Sequence, residues 1–337
     1  MDEIILEKLE SIFFCYLNTV INITGAILSL FCFLIFLNSQ FSDTFYKYKK
    51  VEIIFIGLSL FSYGLRPFVY CKDSVVSTLY ISQMIHLINR YLRSVFETTA
   101  TLCCILSSLY FYLKLIKSKF NILSRVSYKL VSAILLTFSA ILFLYRSLEF
   151  KIDQQSTFTN SSKYDNNETI QLVCKLNYKT SRSDLFKTFF FRFNRIASFL
   201  IADGILVFIL MIINMLSFIE IKKSLKAKKY IHRQCSTIKM RSNIKNAENS
   251  IKIMVFVGSF ITIIGKFPLF IYYVLDTLLD SSKFEIRAGL GLLSFISYTL
   301  FSITYSINYV LFFFINKTFK KVFLDYLSRI IKCFNRF

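Results

Sequence analysis

Apolar residues in this chain neither alternate with polar ones nor keep to a single helical stripe; they gather in long stretches separated by short charged segments. Seven such stretches are delimited, at residues 12–38, 51–70, 78–113, 128–148, 191–221, 251–275 and 288–315. Each is long enough for a helix to cross a hydrocarbon core of about 30 Å, which takes roughly 20 residues. In lipid the backbone must satisfy its own hydrogen bonds, so only helices and closed barrels span. A barrel needs alternating short strands and many turn residues, whereas the chain has 8 Gly and only 2 Pro, Pro67 and Pro268. The expected fold class is an all-α membrane protein, a seven-transmembrane helix bundle. After residue 315 the pattern changes: Phe319, Val322, Phe323, Tyr326 and Ile330 share one helical face, and Lys320, Lys321 and Arg329 take the others. That predicts a short amphipathic helix over residues 316–331, lying in the membrane interface.

Composition agrees. With 55% hydrophobic residues, 39 Phe and 20 Tyr among 337, there is more apolar surface than one soluble core can hide. The opening "MDEIILEKLE" lacks the basic start and small-residue cleavage site of a signal peptide, so the first stretch is expected to remain as the first span. No linker or internal repeat divides the chain, and residues 1–337 read as a single domain.

A net charge of +21 raises the question of a nucleic-acid partner, and its distribution answers no. Lys47, Lys49 and Lys50 lie in the first loop, Lys117, Lys119 and Arg125 in the third, and a dense cluster from Lys222 to Lys245 in the fifth; Lys317 to Arg336 supply the tail. Alternate loops plus the tail are basic, which places them in the cytoplasm and the N-terminus outside. The excess serves topology and contact with anionic membrane lipids. On this arrangement the sequons at Asn160 and Asn167 fall outside, where glycosylation is possible, whereas those at Asn22 and Asn316 are out of reach. Cys71 and Cys174 are also on the outer side, where they can oxidise, while Cys32, Cys103 and Cys104 read as packing residues within spans.

Ionisable residues inside spans are costly and usually face the bundle interior. His86, Asn89, Arg90, Arg93 and Glu97 stand in the outer half of the third span, Arg192, Arg195 and Asp203 in the fifth, Lys266 in the sixth and Arg66 in the second. His86, Arg90 and Arg93 recur at helical spacing, and with Arg195 they suggest a cationic outer vestibule suited to an acidic ligand; snorkelling accounts for Arg66 and Arg192.

The stretch "NYVLFFFINKTFKKVF", which closes the seventh span and opens the amphipathic helix, resembles the N-P-x-x-Y segment and short helix of the rhodopsin-like (class A) G-protein-coupled receptors. Asn308 matches the family Asn, while Tyr309 replaces the Pro and Phe312 the Tyr. "FITIIGKFPLFIYYV" is similar to the family's C-W-x-P segment, with Pro268 at the kink and Lys266 at the bulky toggle position. Pro67 and "GAILSLFCF" also resemble second- and first-span features. In "SLYFYLKLIKSKF" the D/E-R-Y position holds Tyr110, Phe111 and Tyr112, and only the last Tyr is kept. Divergent invertebrate receptors, peptide-receptor-like or nematode chemoreceptor-like, resemble the chain most.

The resemblance implies a plasma-membrane receptor that binds an extracellular ligand, peptide or small molecule, and activates a heterotrimeric G protein. Its ligand would meet His86, Asn89, Arg90, Arg93, Glu97, Arg195 and Lys266, and Pro268, Asn308, Tyr112 and Phe312 would act as the activation switch. A Cys71–Cys174 disulfide is implied too, with Cys15 as a spare partner. The family's second-span acid is not in its place, so no bound ion is expected. Glu97 and Lys266 come to nearly the same depth, Glu97 being about 21 Å above Phe111 along the helix; a buried pair between them is expected, with Asp203 as the competitor.

No HExxH, GxSxG or P-loop is present, and His86 and His232 lie on opposite membrane sides, so neither enzyme, metal site nor cofactor is expected. Cys235 and Cys333 are at most palmitoylation sites. The alternatives are a seven-helix chemosensory channel, whose N-terminus would be inside, a transporter, and a receptor fold that has lost coupling with the D/E-R-Y Arg.

Overall fold

The computed structural model describes residues 16–65, 84–85, 87–116, 126–148, 150–160, 172–182, 189–231, 239–279 and 284–334. Helix α1 is Asn18–Phe36 and α2 Thr44–Gly64, joined by a single 3-10 turn, Ser39–Phe41. Helix α3, Ile88–Leu115, opens with a π-helical turn at Ile88–Leu92. Helix α4 is Tyr128–Phe143, tightening into a 3-10 turn at Leu144–Leu148. Helix α5 runs through Phe189–Phe199, a π-helical stretch Leu200–Ile205 and Leu206–Ile231. Helices α6, Lys239–Leu278, and α7, Phe284–Ile315, complete the bundle, and α8, Lys317–Phe334, comes directly after.

Among the described residues, six helical segments are long and apolar enough to cross a membrane: Asn18–Phe36, Ile88–Leu115, Tyr128–Ser147, Phe189–Lys223, Phe256–Leu278 and Gly289–Ile315. The chain is therefore a multi-pass helical membrane protein. Helix α2 matches the second expected span in place, but Lys47, Lys49, Lys50 and Glu52 fill its first half, and it is not among the six. Helices α5 and α6 both outrun their expected bounds at the basic loop between them. The stretch between α4 and α5, expected as a loop, contains an antiparallel ribbon, β1 Phe150–Asn160 paired with β2 Leu172–Arg182 in the register Phe150↔Arg182 to Asn160↔Leu172. This corrects the purely helical expectation: the β-branched and aromatic residues Ile152, Thr157, Phe158, Thr159, Val173 and Tyr178 favour extended backbone, and the ladder between the strands takes the place of helical hydrogen bonds.

Burial explains the layering. Helix α3 is enclosed over most of its length and α4 over little of it, so α3 is the axis of the bundle and α4 its periphery. Ile134, Phe138 and Ile141 of α4 and Phe208, Met215 and Phe218 of α5 are exposed, as lipid-facing residues should be. Without a hydrophobic force between helices in lipid, close approach comes from small residues. Gly265 of α6 lies against Thr304 and the Cα of Phe301 in α7, and Gly25 of α1 against Ser306 on the far side of α7. The two glycines let α7 be gripped from both sides.

The end of the bundle where α7 meets α8 is closed by rings. Phe36 and Phe41 meet edge to face at 5.0 Å, and Phe36 contacts Phe312 at 5.6 Å and Phe319 at 5.3 Å. Asn316 lies in the corner between α7 and α8. Its Oδ1 accepts the N–H of Phe319 at 3.1 Å, capping α8, and its Nδ2 donates to the Tyr46 hydroxyl at 3.2 Å. Along α8, Phe319 and Val322 are buried against the bundle, whereas Leu324, Leu327 and Ile331 are exposed, giving the amphipathic helix expected there.

Candidate functional site

Three helix irregularities lie beside the buried charges. The π-helical turn of α3 ends where Arg93 begins, that of α5 contains Asp203, and Pro268 of α6 stands two residues after Lys266. Such turns carry an extra residue and loosen carbonyls from the ladder, while a proline removes the partner of the carbonyl four residues earlier. The loosened groups are used: the Arg90 carbonyl, within the α3 turn, accepts from Ser94 at 3.0 Å and from Arg146 Nη1 at 3.1 Å. Arg146, buried at the end of α4, also donates to the Ser94 hydroxyl and lies over the rings of Phe199 at 4.6 Å and Tyr273 at 5.5 Å.

Arg93 occupies an aromatic cage. Its Nε is 3.0 Å from Glu97 Oε1, and its Nη2 donates to the Tyr273 hydroxyl at 2.8 Å. Its guanidinium lies over Tyr63 at 4.2 Å and Tyr298 at 5.5 Å, and the hydroxyls of Tyr273 and Tyr298 are 2.9 Å apart. Glu97 also accepts from Ser59 of α2 at 3.3 Å. The cage thus joins α2, α3, α6 and α7.

Two further ion pairs cross between α5 and α6, Lys266 Nζ to Asp203 Oδ1 at 2.6 Å and Arg195 Nη2 to Asp276 Oδ2 at 2.6 Å. Their polarity is reversed, with acid then base on α6 as one descends and base then acid on α5. Sliding one helix along the other would therefore bring like charges together. In the N-terminal half of α2, Lys49 and Glu52 pair at 2.8 Å, both buried, with Lys49 3.9 Å from the Cys104 sulfur of α3.

The expected Glu97–Lys266 pair is not formed. Lys266 takes Asp203, the competitor, and Glu97 takes Arg93 one turn away on its own helix. The reason is reach: Arg93 stands at the i−4 position and needs no interhelical gap to be bridged. The cationic vestibule is corrected in the same way, because Arg93 and Arg195 are each matched with an acid. Asn89 is buried on α3, and its Nδ2 has no hydrogen-bond partner; Arg90 is partly buried beside it.

Of the expected switch positions, Pro268 lies inside α6, Phe312 joins the inner aromatic cluster, and Tyr112 packs against the α3–α5 contact. Asn308 is placed in α7 by its backbone, as Asn160 is at the end of β1 and Cys174 in β2 opposite Phe158. His86, Cys71, Cys15, Pro67 and Asn167 lie outside the described residues. Cys32, Cys103 and Cys104 are buried free thiols, as expected of packing residues.

Sequence reasoning missed Arg146, Asp276, Lys49 and Glu52, and the tyrosines of the cage. A lone Arg inside the fourth apolar stretch and a Lys/Glu pair three apart at the edge of the second were detectable signals. Tyr63, Tyr273 and Tyr298 carry no signal in a chain with 20 Tyr. Compared with known families and curated proteins, the chain matches no family model and no curated sequence.

Proposed function

We propose that the chain is a seven-helix receptor of the rhodopsin-like kind, set in the plasma membrane with its N-terminus outside. On this reading α2 is the seventh span, made tolerable in lipid by the mutual pairing of Lys49 and Glu52. An extracellular ligand acts on the outer charged layer, and the basic inner ends of α5 and α6 engage a heterotrimeric G protein. The observation that carries the reading is the α5–α6 seam. Ion pairs stand on either side of Pro268, so a helix with a built-in bend is held to its neighbour by contacts that a ligand can bias. Glycans at Asn160 and Asn167 and a Cys71–Cys174 disulfide belong to the same proposal.

Expressed in cells, an epitope ahead of Met1 should stain without permeabilisation and one after Phe337 should not. A ligand screen read by nucleotide exchange on co-expressed G proteins then tests signalling. Reversed staining, or ligand-gated current through the protein alone, would replace the receptor by a channel. Phe111 at the D/E-R-Y position favours a second reading, the same fold without coupling; it predicts ligand binding with no exchange on any G protein.

A further inference from the structure

We infer that the ligand of this site carries a carboxylate, and that it binds by taking Arg195 from Asp276, so the outer α5–α6 ion pair works as an anion-exchange point. The inference rests on the receptor reading for its consequence, though not for the binding itself.

Position comes first. Asp276 lies in the last turn of α6, which ends at Leu278, and Arg195 lies about 9 Å along α5 from its start at Phe189. The second pair, at Lys266, is about 15 Å further down α6. Exposure runs in the same order, since the Asp276 side chain is 10% exposed and that of Lys266 0%. Of the two pairs, the one at Arg195 and Asp276 is nearer the helix ends and less completely buried.

Asp276 is also the weaker kind of partner. A carboxylate in the last turn of a helix faces the negative end of that helix's own dipole. Arg195, from the neighbouring helix, offsets that repulsion at 2.6 Å. A carboxylate arriving from water carries no such handicap and can meet the planar guanidinium with both oxygens. The body of the ligand would rest on the partly exposed ring of Tyr272, one turn below Asp276, which is backed by the buried rings of Tyr273 at 5.3 Å and Tyr298 at 5.8 Å. Phe199 stacks on Tyr273 at 3.7 Å beneath them. The recognised class is thus a carboxylate attached to an aromatic or apolar body.

Once released, Asp276 needs water, and the outer end of α6 is what must turn to supply it, about Pro268. Ligand binding and Asp276 release are then linked, and linkage is reciprocal. Abolishing the charge of Asp276 removes the competitor and must tighten carboxylate binding. A pair with a merely structural role predicts the opposite, since losing either partner would loosen the site.

The full-length protein, purified in detergent, is titrated with benzoate, phenylacetate and hexanoate, and with their uncharged amides, and its thermal unfolding midpoint is monitored. At least one acid should stabilise saturably while its amide does not. Asp276→Asn should shift half-saturation about tenfold lower, and Arg195→Gln should abolish the response. If no acid binds, if amides act as well as acids, or if Asp276→Asn leaves the acid response unchanged or weaker, the exchange is refuted. Should Asp276→Asn not fold, the acid and amide titrations of the natural protein decide alone. Carboxylate binding with no nucleotide exchange would keep the site and remove the receptor reading; exchange driven only by uncharged ligands would do the reverse.

Discussion

Replacing Lys266 by Met removes one charge of a pair whose side chains are 0% and 6% exposed and whose atoms are 2.6 Å apart. At an effective dielectric of about 20, unit charges at that separation attract by about 6 kcal/mol. Burying each ion costs several kcal/mol, so the intact pair nets close to zero. Lys266→Met removes the attraction and leaves the Asp203 carboxylate buried, a loss of about 3–5 kcal/mol. Removing both charges together, as Lys266→Met/Asp203→Leu, should return the protein to within about 1 kcal/mol of its natural stability. With a similar loss for Asp203→Leu alone, the interaction term of the double-mutant cycle is therefore expected at about 5–10 kcal/mol in magnitude.

Solubilised variants heated and counted by size-exclusion chromatography give relative stabilities directly. Glu97→Leu provides the control, because the sequence alone pointed to Glu97 as the partner. Combined with Lys266→Met it should worsen the defect, since the Arg93 guanidinium then also loses its acid. If Lys266→Met/Glu97→Leu recovers stability and Lys266→Met/Asp203→Leu does not, the assignment of Lys266 to Asp203 is wrong.

Asn316→Ala should cost about 1 kcal/mol as a lost cap and detach the start of α8, which limited proteolysis after the α7 corner would reveal as faster cleavage. Gly265→Ala places a methyl into the Thr304 hydroxyl and should lower stability by about 1–3 kcal/mol, with Thr304→Ala, which removes that oxygen, partly restoring it in the same heating assay. At the start of α2, partial burial pushes the Asp43 carboxyl up, but the Lys114 hydrogen bond and the Phe45 N–H outweigh it and hold it below the usual carboxylate range. Its contribution is then complete above the unfolded value of about 4 and lost as pH falls through the lowered one. With Lys114 half exposed the effect stays under about 1 kcal/mol, so Asp43→Asn should be mildly destabilising at neutral pH and indistinguishable from the natural protein in acid.

The helical membrane architecture was legible because lipid demands long apolar runs, and a run of about 20 residues is a signal that no local preference can hide. Helix α8 was legible for a similar reason: Phe319 and Val322 recur at a spacing that only a helix turns into one face. The ribbon was not, since the alternation in residues 150–160 is weak and its partner lies in residues 172–182, across a segment with no turn motif. That charges would be buried near Lys266 could also be read, because an ionisable residue in a span must find company. Which partner it finds could not. Asp203 and Glu97 are both carboxylates; Arg93, one turn away, takes Glu97, and Asp203 stands in a π-helical stretch of α5 that composition does not announce.

The same stretches explain why the buried charges sit beside irregular turns. A straight α-helix offers the interior only side chains, because its carbonyls are spent on its own ladder. The wide turn in α3 leaves the Arg90 carbonyl available to Arg146, and the proline in α6 does the same for the carbonyl of Ile264. A bundle that must hold several guanidinium and ammonium groups away from water therefore gains from irregular turns at the depth where those groups lie. Irregular turns are in turn where helices bend most easily. On the receptor reading, burying charge and making a hinge are thus one structural solution, and the Pro268 region is where a change in ion pairing at Arg195 or Lys266 would pass into the direction of α6.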